Sequence, residues 1–295
     1  MTPRPRRGTP GRARRRIVVQ AIVLAVLGTL LPQRTQAHAP GWATPWTAST
    51  GDATSVAYSG AWNSYATTLG GDPGTTYWWR LGDASGSTMT ATSGGVNGTY
   101  GNSPTLGQTG ALGTSNTAVR LNGTNQYATV AHQNGFSFSG TAAYSIEVLF
   151  KLGSLAASGN PRLVTKMDYN GSYDGYDLAY NGASDTYPGQ LYCARWANGS
   201  ATYVGSFGLA LSAGTWAHIV CTYDGSTLRF YFNGELRESA ASTGSMSTGT
   251  PLYVGSLQGG GQDFANGTFD EISITNVALS ARQVRSHYYA YLSGL

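Results

Sequence analysis

The segment Thr222–Leu236 reads TYDGSTLRFYFNGEL, and its local chemistry leaves little choice of conformation. Asp224-Gly225 and Asn233-Gly234 are turn dipeptides, because Gly takes positive φ freely and Asn and Asp tolerate it. Between them Leu228, Phe230 and Phe232 alternate with Thr227, Arg229 and Tyr231. A period of two sends one set to a buried face and the other toward solvent. The segment therefore predicts a half-buried strand with a tight reversal at each end.

That pattern recurs. Runs such as AVRLNG (118–123), QYATVA (126–131), YSIEVLFKLG (144–153), RLVTKMD (162–168), QLYCARW (190–196) and FDEISITNV (269–277) alternate with Gly- and Asn-rich turns. The composition agrees, with 41 Gly and 19 Tyr against four Glu and two Lys. Short strands at regular spacing predict an all-β, antiparallel two-sheet jelly-roll sandwich. Only the C-terminus departs from it. There Ser280 and Gln283 form a capping box, and Val284, Tyr288 and Tyr291 share one face, which predicts a short C-terminal helix from about Ala281 to Tyr291.

The basic charge of the chain is local. Eight of its 18 Lys and Arg precede Ala37, where no acid occurs, so ten remain against 14 acids. The basic balance thus gives no support for nucleic-acid binding. The same leader joins an Arg-rich start to the apolar run Ile17–Leu31 and a polar spacer ending TQAHA. That is the layout of a signal peptide, expected at 1–37 with cleavage after Ala37, and it points to a secreted, extracellular protein. If left uncut, the leader is the protein's one link to a membrane. Residues 38–75 read as a Gly/Ala/Ser/Thr-rich tether with a short helix or turn at GAWNSYATTL, and 76–295 as the folded domain. Cys193 and Cys221 form a candidate disulfide in an exported chain, although two buried thiols fit the spacing as well.

These residues resemble the laminin-G-like, concanavalin A-like jelly-roll domains of secreted bacterial proteins. The resemblance is carried in order by Trp216, His218, Thr222-Tyr223-Asp224-Gly225, Asn233-Gly234, Gly255, Asp270-Glu271, Leu279-Ser280 and Val284. Upstream, YWWRLGD (77–83) and the GALGTSNTAVRLNGTNQYATV block are similar to the family's opening. The resemblance covers roughly residues 64–291. It implies a jelly roll and, as an option, a structural calcium ion near the rim held by Asp270 and Asp83. Family positions that often carry acids read Asn122, Gln126 and an acid-free TMTATSGGVNGTY here.

Strand alternation places Asp270 with Ile272 and Ile274 on the apolar face and Glu271 with Ser273 and Thr275 on the other. The two acids are therefore not expected to converge. Glycoside hydrolysis needs two carboxylates across one bond. Glu147 is the sole mid-chain strand Glu, with no acid within five residues, and His132, His218 and His287 are isolated in sequence. Neither a G-x-S-x-G elbow nor an H-E-x-x-H pair occurs. No enzymatic activity is expected. The segment Met167–Tyr192 instead carries six tyrosines among Asn, Asp and Gly, and Tyr169, Tyr173, Tyr176 and Tyr187 are the candidate ligand-binding rings. The expected function is non-catalytic recognition of a carbohydrate or other surface ligand. The alternative is an adhesive cell-surface protein that binds another protein, and the remote alternative is a polysaccharide-degrading enzyme.

Overall fold

The computed structural model describes residues 64–293, apart from Thr75, Asn170, Gly259 and Gly260 and the side chains of Thr114 and Ser115. The expected leader and most of the expected tether lie outside the described residues. Among those described, no helix is long and apolar enough to cross a membrane.

Helix α1 (Tyr65–Gly70) opens the fold, capped by Ser64, whose hydroxyl accepts the Thr67 N–H. Sixteen strands follow: β1 (Thr76–Trp79), β2 (Thr88–Met89), β3 (Gly98–Gly101), β4 (Thr105–Gly110), β5 (Gly113–Asn122), β6 (Tyr127–Val130), β7 (Tyr144–Leu152), β8 (Arg162–Met167), β9 (Gly175–Tyr180), β10 (Gln190–Ala197), β11 (Ser200–Ala210), β12 (Trp216–Tyr223), β13 (Thr227–Phe232), β14 (Glu235–Ala241), β15 (Leu252–Val254) and β16 (Asn266–Thr275). Helix α2 (Ala281–Ser293) closes the chain, with the Ser280–Gln283 box formed at its start.

The strands make two antiparallel sheets. The first runs β14-β13-β12-β7-β16-β5-β4, with β1 also paired to β16, and the second runs β11-β10-β9-β8-β15-β6-β3-β2. Their facing sides bury one core that includes Trp79, Phe136, Tyr144, Phe150, Tyr176, Tyr180 and Phe269. Cys193 on β10 is joined to Cys221 on β12, so the disulfide ties one sheet to the other across that core.

The outer side of the first sheet is covered as well. Tyr65, Leu69, Trp78, Leu149, Ala290 and Tyr291 form a second apolar cluster, in which α1, β1 and α2 lie over β7. Under this cover sits Glu147. Tyr65 Oη donates to its Oε1 at 2.5 Å, His218 Nε2 lies 2.8 Å from the same oxygen, and His287 Nδ1 lies 2.7 Å from Oε2. His287 Nε2 in turn lies 2.9 Å from Asp72 Oδ2. Burial pushes the Glu147 carboxyl up, but His287 and His218 outweigh it and hold it well below the usual range. Burial pulls His287 down, while Glu147 and Asp72 carry it up to about 10. His218 and His287, two of the three histidines isolated in sequence, thus meet on one acid. Helix α1, in the segment expected as a lead-in helix or turn, packs into this cover through Tyr65 and Leu69.

The second polar centre corrects the alternation expected for Asp270 and Glu271. In the pairing with β7, Asp270 faces Leu149 but Ser273 faces Glu147, so β16 carries a bulge between them. Glu271 occupies that bulge at φ 51°. The extra residue breaks the period of two. Asp270 lies on the outer side with Ser273, opposite Ile272 and Ile274, and both acids are buried. Asp270 accepts the Ala111 N–H at 2.8 Å, and Glu271 accepts Trp78 Nε1 at 2.7 Å and Arg80 Nε at 2.9 Å. Asn116 Nδ2 lies 2.9 Å from Asp270 Oδ1 and 3.2 Å from Glu271 Oε1, so the two acids do converge. Burial, and then the Glu271 charge, pushes Asp270 up to about 8. Burial pushes Glu271 up to about 7 against the pull of Arg80.

Three outcomes follow from this packing. Glu147→Ala leaves two histidines and a buried tyrosine hydroxyl without their acceptor, and unfolding in urea should show a loss of about 3–5 kcal/mol; a loss under ~1 kcal/mol would sink this account. The disulfide closes a loop of 28 residues, so reduction should cost about 3–4 kcal/mol in the same assay, if chain entropy is its main effect. Asp270 and Glu271 bind their protons more tightly when folded. They add stability below the ordinary carboxylate pKa, and that stability is lost as pH rises through about 7 and 8. In chelating buffer the melting temperature should therefore fall between about pH 5 and 8. Asp270→Asn should flatten that fall; an unchanged slope would contradict the assignment.

Candidate functional site

The sequence-expected metal pair can be placed first. Both oxygens of Asp270 face N–H donors, from Ala111 and Asn116. Asp83 Oδ2 accepts the Thr90 N–H at 3.2 Å and the Tyr100 hydroxyl at 2.8 Å. Calcium takes six to eight oxygen ligands, whereas the hydrogen-bond partners of these two carboxylates are N–H and O–H donors. Among the described residues no three His, Cys, Asp or Glu side chains gather where a metal ion could be held. The residues present do not fit a calcium cage.

The sequence-expected rings divide. Tyr176 is fully buried in the core, and its hydroxyl donates to the Phe136 carbonyl at 2.9 Å. Its partners explain this correction: Tyr176, Leu178 and Tyr180 alternate inward along β9, which leaves Asp177 and Ala179 on the outer side. Tyr187 is exposed at 54%, on the loop between β9 and β10. Tyr169 and Tyr173 sit together in the turn after β8, and they begin a longer array.

That array runs across the outer side of the second sheet at its β10–β11 edge. Tyr169 and Tyr173 have ring centroids 5.5 Å apart, Tyr173 and Trp196 are 5.9 Å apart, Trp196 and Tyr203 are 5.8 Å apart, and Tyr203 and Tyr192 are 5.7 Å apart. Tyr173 is 40% exposed and Tyr203 50% exposed. The strands set this spacing. Cys193 points inward to its disulfide, so Tyr192, Ala194 and Trp196 point outward, and β11 sets Gly205, Tyr203 and Ala201 opposite them. The small residues Ala194 and Gly205 leave room for the rings beside them. At Gly205 an added Cβ would come within 2.6 Å of the Leu191 carbonyl.

Hydrogen bonds fix the turn that carries the first two rings. The Asp168 carbonyl accepts the Tyr173 N–H at 3.0 Å, and its carboxylate accepts the Ser172 N–H at 3.2 Å. Tyr173 itself adopts φ 55° at the tip of the turn. Asp174 Oδ1 accepts the Asn198 N–H at 2.6 Å and so ties this turn to the β10–β11 reversal. The far end of the array is closed by Arg162. Its Nη1 donates to Tyr192 Oη at 2.5 Å and to the Asn160 carbonyl at 2.9 Å. Its Nε lies 3.3 Å from Asp177 Oδ2 and its Nη2 3.8 Å from Asp263 Oδ2. Trp196 Nε1 has no hydrogen-bond partner. Trp196 and Tyr203 lie beyond the tyrosine-dense segment, and density alone does not single out Tyr192 at its end. The signal that finds them is the alternation around Cys193, once that cysteine is known to face inward.

An apolar-faced, hydroxyl-rimmed row of rings can stack on flat molecules and exchange hydrogen bonds at their edges. The chain is similar in fold to the binding domain of Paraclostridial Mosquitocidal Protein 1, with 16% identity, a TM-score of 0.58, and coverage of 73% of this chain and 52% of that one. It is similar also to Domain 4 of AbnA, a GH43 extracellular arabinanase from Geobacillus stearothermophilus solved with arabinotriose, with 16% identity, a TM-score of 0.56, and coverage of 74% and 100%. The binding domain of botulinum neurotoxin serotype G matches with 14% identity, a TM-score of 0.56, and coverage of 73% and 50%. The chain thus spans about half the length of the two toxin domains. No curated protein sequence matches it. The Laminin_G_3 family, described as the concanavalin A-like lectin/glucanases superfamily, matches residues 122–285. With more than half of its length matched and the two-sheet jelly roll in place, the chain belongs to the Laminin_G_3 family.

Proposed function

We propose that this is an exported, non-catalytic binding domain whose ligand is a glycan, held on the rings from Tyr169 to Tyr192. The single observation that carries the reading is the unbroken row of five rings on an exposed sheet edge. Sugar rings present C–H faces that stack on such a surface, and their hydroxyls can meet the phenol groups at its rim. The similarity to an arabinanase domain solved with arabinotriose supports the choice of ligand class. The acids best placed for proton transfer, Glu147, Asp270 and Glu271, are all sealed beneath the outer cover of the first sheet. That supports a role without catalysis. The leader read at 1–37 supports export.

A protein partner is the second reading. Phe207 and Leu209 favour it, because both are exposed side by side on the edge strand β11.

A polysaccharide screen with the purified protein tests the choice. Tyr173→Ala, Trp196→Ala and Tyr203→Ala are each expected to weaken binding by about 0.5–1.5 kcal/mol, up to roughly tenfold, with the melting temperature little changed for the two exposed tyrosines. Phe207→Ala is expected to leave glycan affinity unaltered. If no polysaccharide binds, the glycan reading is wrong; if Phe207→Ala abolishes glycan binding and the ring variants do not, the assignment of the glycan to the ring array is wrong.

A further inference from the structure

The charges around the ring array bear on which glycans it can take. Its start is built on Asp168 and Asp174, and Glu238 reaches its edge, where Oε2 accepts the Gly205 N–H at 2.6 Å. At its far end stand Asp177 and Asp263. Among the described residues, the cation bonded to a ring of the array is Arg162, through Tyr192. Its side chain is 8% exposed. Its guanidinium is already engaged by Asp177, Asp263, the Tyr192 hydroxyl and the Asn160 carbonyl.

An anion anchor needs an accessible guanidinium or ammonium with donors to spare. Arg162 is not accessible: it sits low at the end of the row, its side chain 8% exposed, with acids on two sides. A carboxylate- or sulfate-bearing polymer laid along the array would instead bring its charges against Asp168, Asp263 and Glu238. Like charges placed together at an interface oppose binding. A hydroxyl-bearing neutral sugar meets no such opposition, since carboxylates and phenols accept hydrogen bonds from its hydroxyls.

We infer that the array between Tyr169 and Tyr192 takes uncharged polysaccharides and rejects polyanionic ones, with Arg162 acting as a brace for Tyr192 rather than as an anion anchor. This deepens the glycan reading above and rests on it. The position of Arg162 gives it a mechanical role: it holds one terminal ring by its hydroxyl, and Asp177 underneath holds the guanidinium in turn.

The test sets arabinan, mannan and a mixed-linkage β-glucan against polygalacturonate and heparin, with the full-length protein as it folds, at about 0.05 M and 0.5 M NaCl. At least one neutral polymer is expected to bind, with affinity changed less than twofold by salt, while neither polyanion binds at either concentration. Binding to a polyanion that weakens several-fold in high salt, with no neutral polymer bound, overturns the inference and leaves the glycan reading standing. If neither set binds, the glycan reading itself fails and the inference goes with it. Tyr203→Ala serves as the site control: it must weaken the neutral polymer, and if it does not, binding lies elsewhere and the inference is wrong.

Discussion

A carboxylate removed from water must be surrounded by donors, and Glu147 collects them from three distant parts of the chain. Tyr65 comes from the first helix, His218 from a neighbouring strand and His287 from the last helix. The apolar cover over the first sheet then has a reason to sit where it does. Leu69, Trp78 and Tyr291 supply hydrophobic area, which fixes little about position because it has no direction. The acid and its partners supply direction. An offset of α1 or α2 by one turn would strand a buried charge at a cost of several kcal/mol. This arrangement decides which side of the molecule is closed, and by exclusion which side stays open.

The fold was legible because its signals are local. The Thr222–Leu236 segment pairs as read: Cys221 faces Phe230 and Tyr223 faces Leu228, and the Asp224 carboxylate accepts the Ser226 and Thr227 N–H groups in the turn. The capping box at Ser280 formed for the same reason. What failed depends on information that no local pattern carries. Alternation assigned Asp270 and Glu271 to opposite faces, but one extra residue in β16 reversed that, and a bulge is set by the partner strand. Tyr176 was grouped with its neighbours by density. Its inward direction follows from the pairing of β9 with β10, which sequence spacing does not reveal. The Glu147 partners lie 71 and 140 residues away along the chain, too far for any motif.

The two outer faces divide the chemistry between them. On the first sheet, carboxylates and histidines are enclosed, and Glu147 with its partners joins the two helices to the strands. On the second, rings stand in a row with two of them near half exposed. Charged groups there act mainly as braces: Asp168 and Asp174 shape the turn under Tyr173, and Arg162 steadies Tyr192. In the proposed glycan reading, such a surface would meet shape and hydroxyl patterns through many weak contacts, with selectivity coming as much from what it repels as from what it attracts.

The position of His287 has a bearing on how the protein is made. Tyr65 leaves the ribosome long before His287, yet both must reach Glu147 to satisfy it. During synthesis the central strands can pair while this acid still faces water. The outer cover can close only once α2 has emerged, so α1 waits undocked until then. A nascent chain halted before α2 would carry an open first sheet, recognisably incomplete to any quality-control machinery that reads exposed apolar surface.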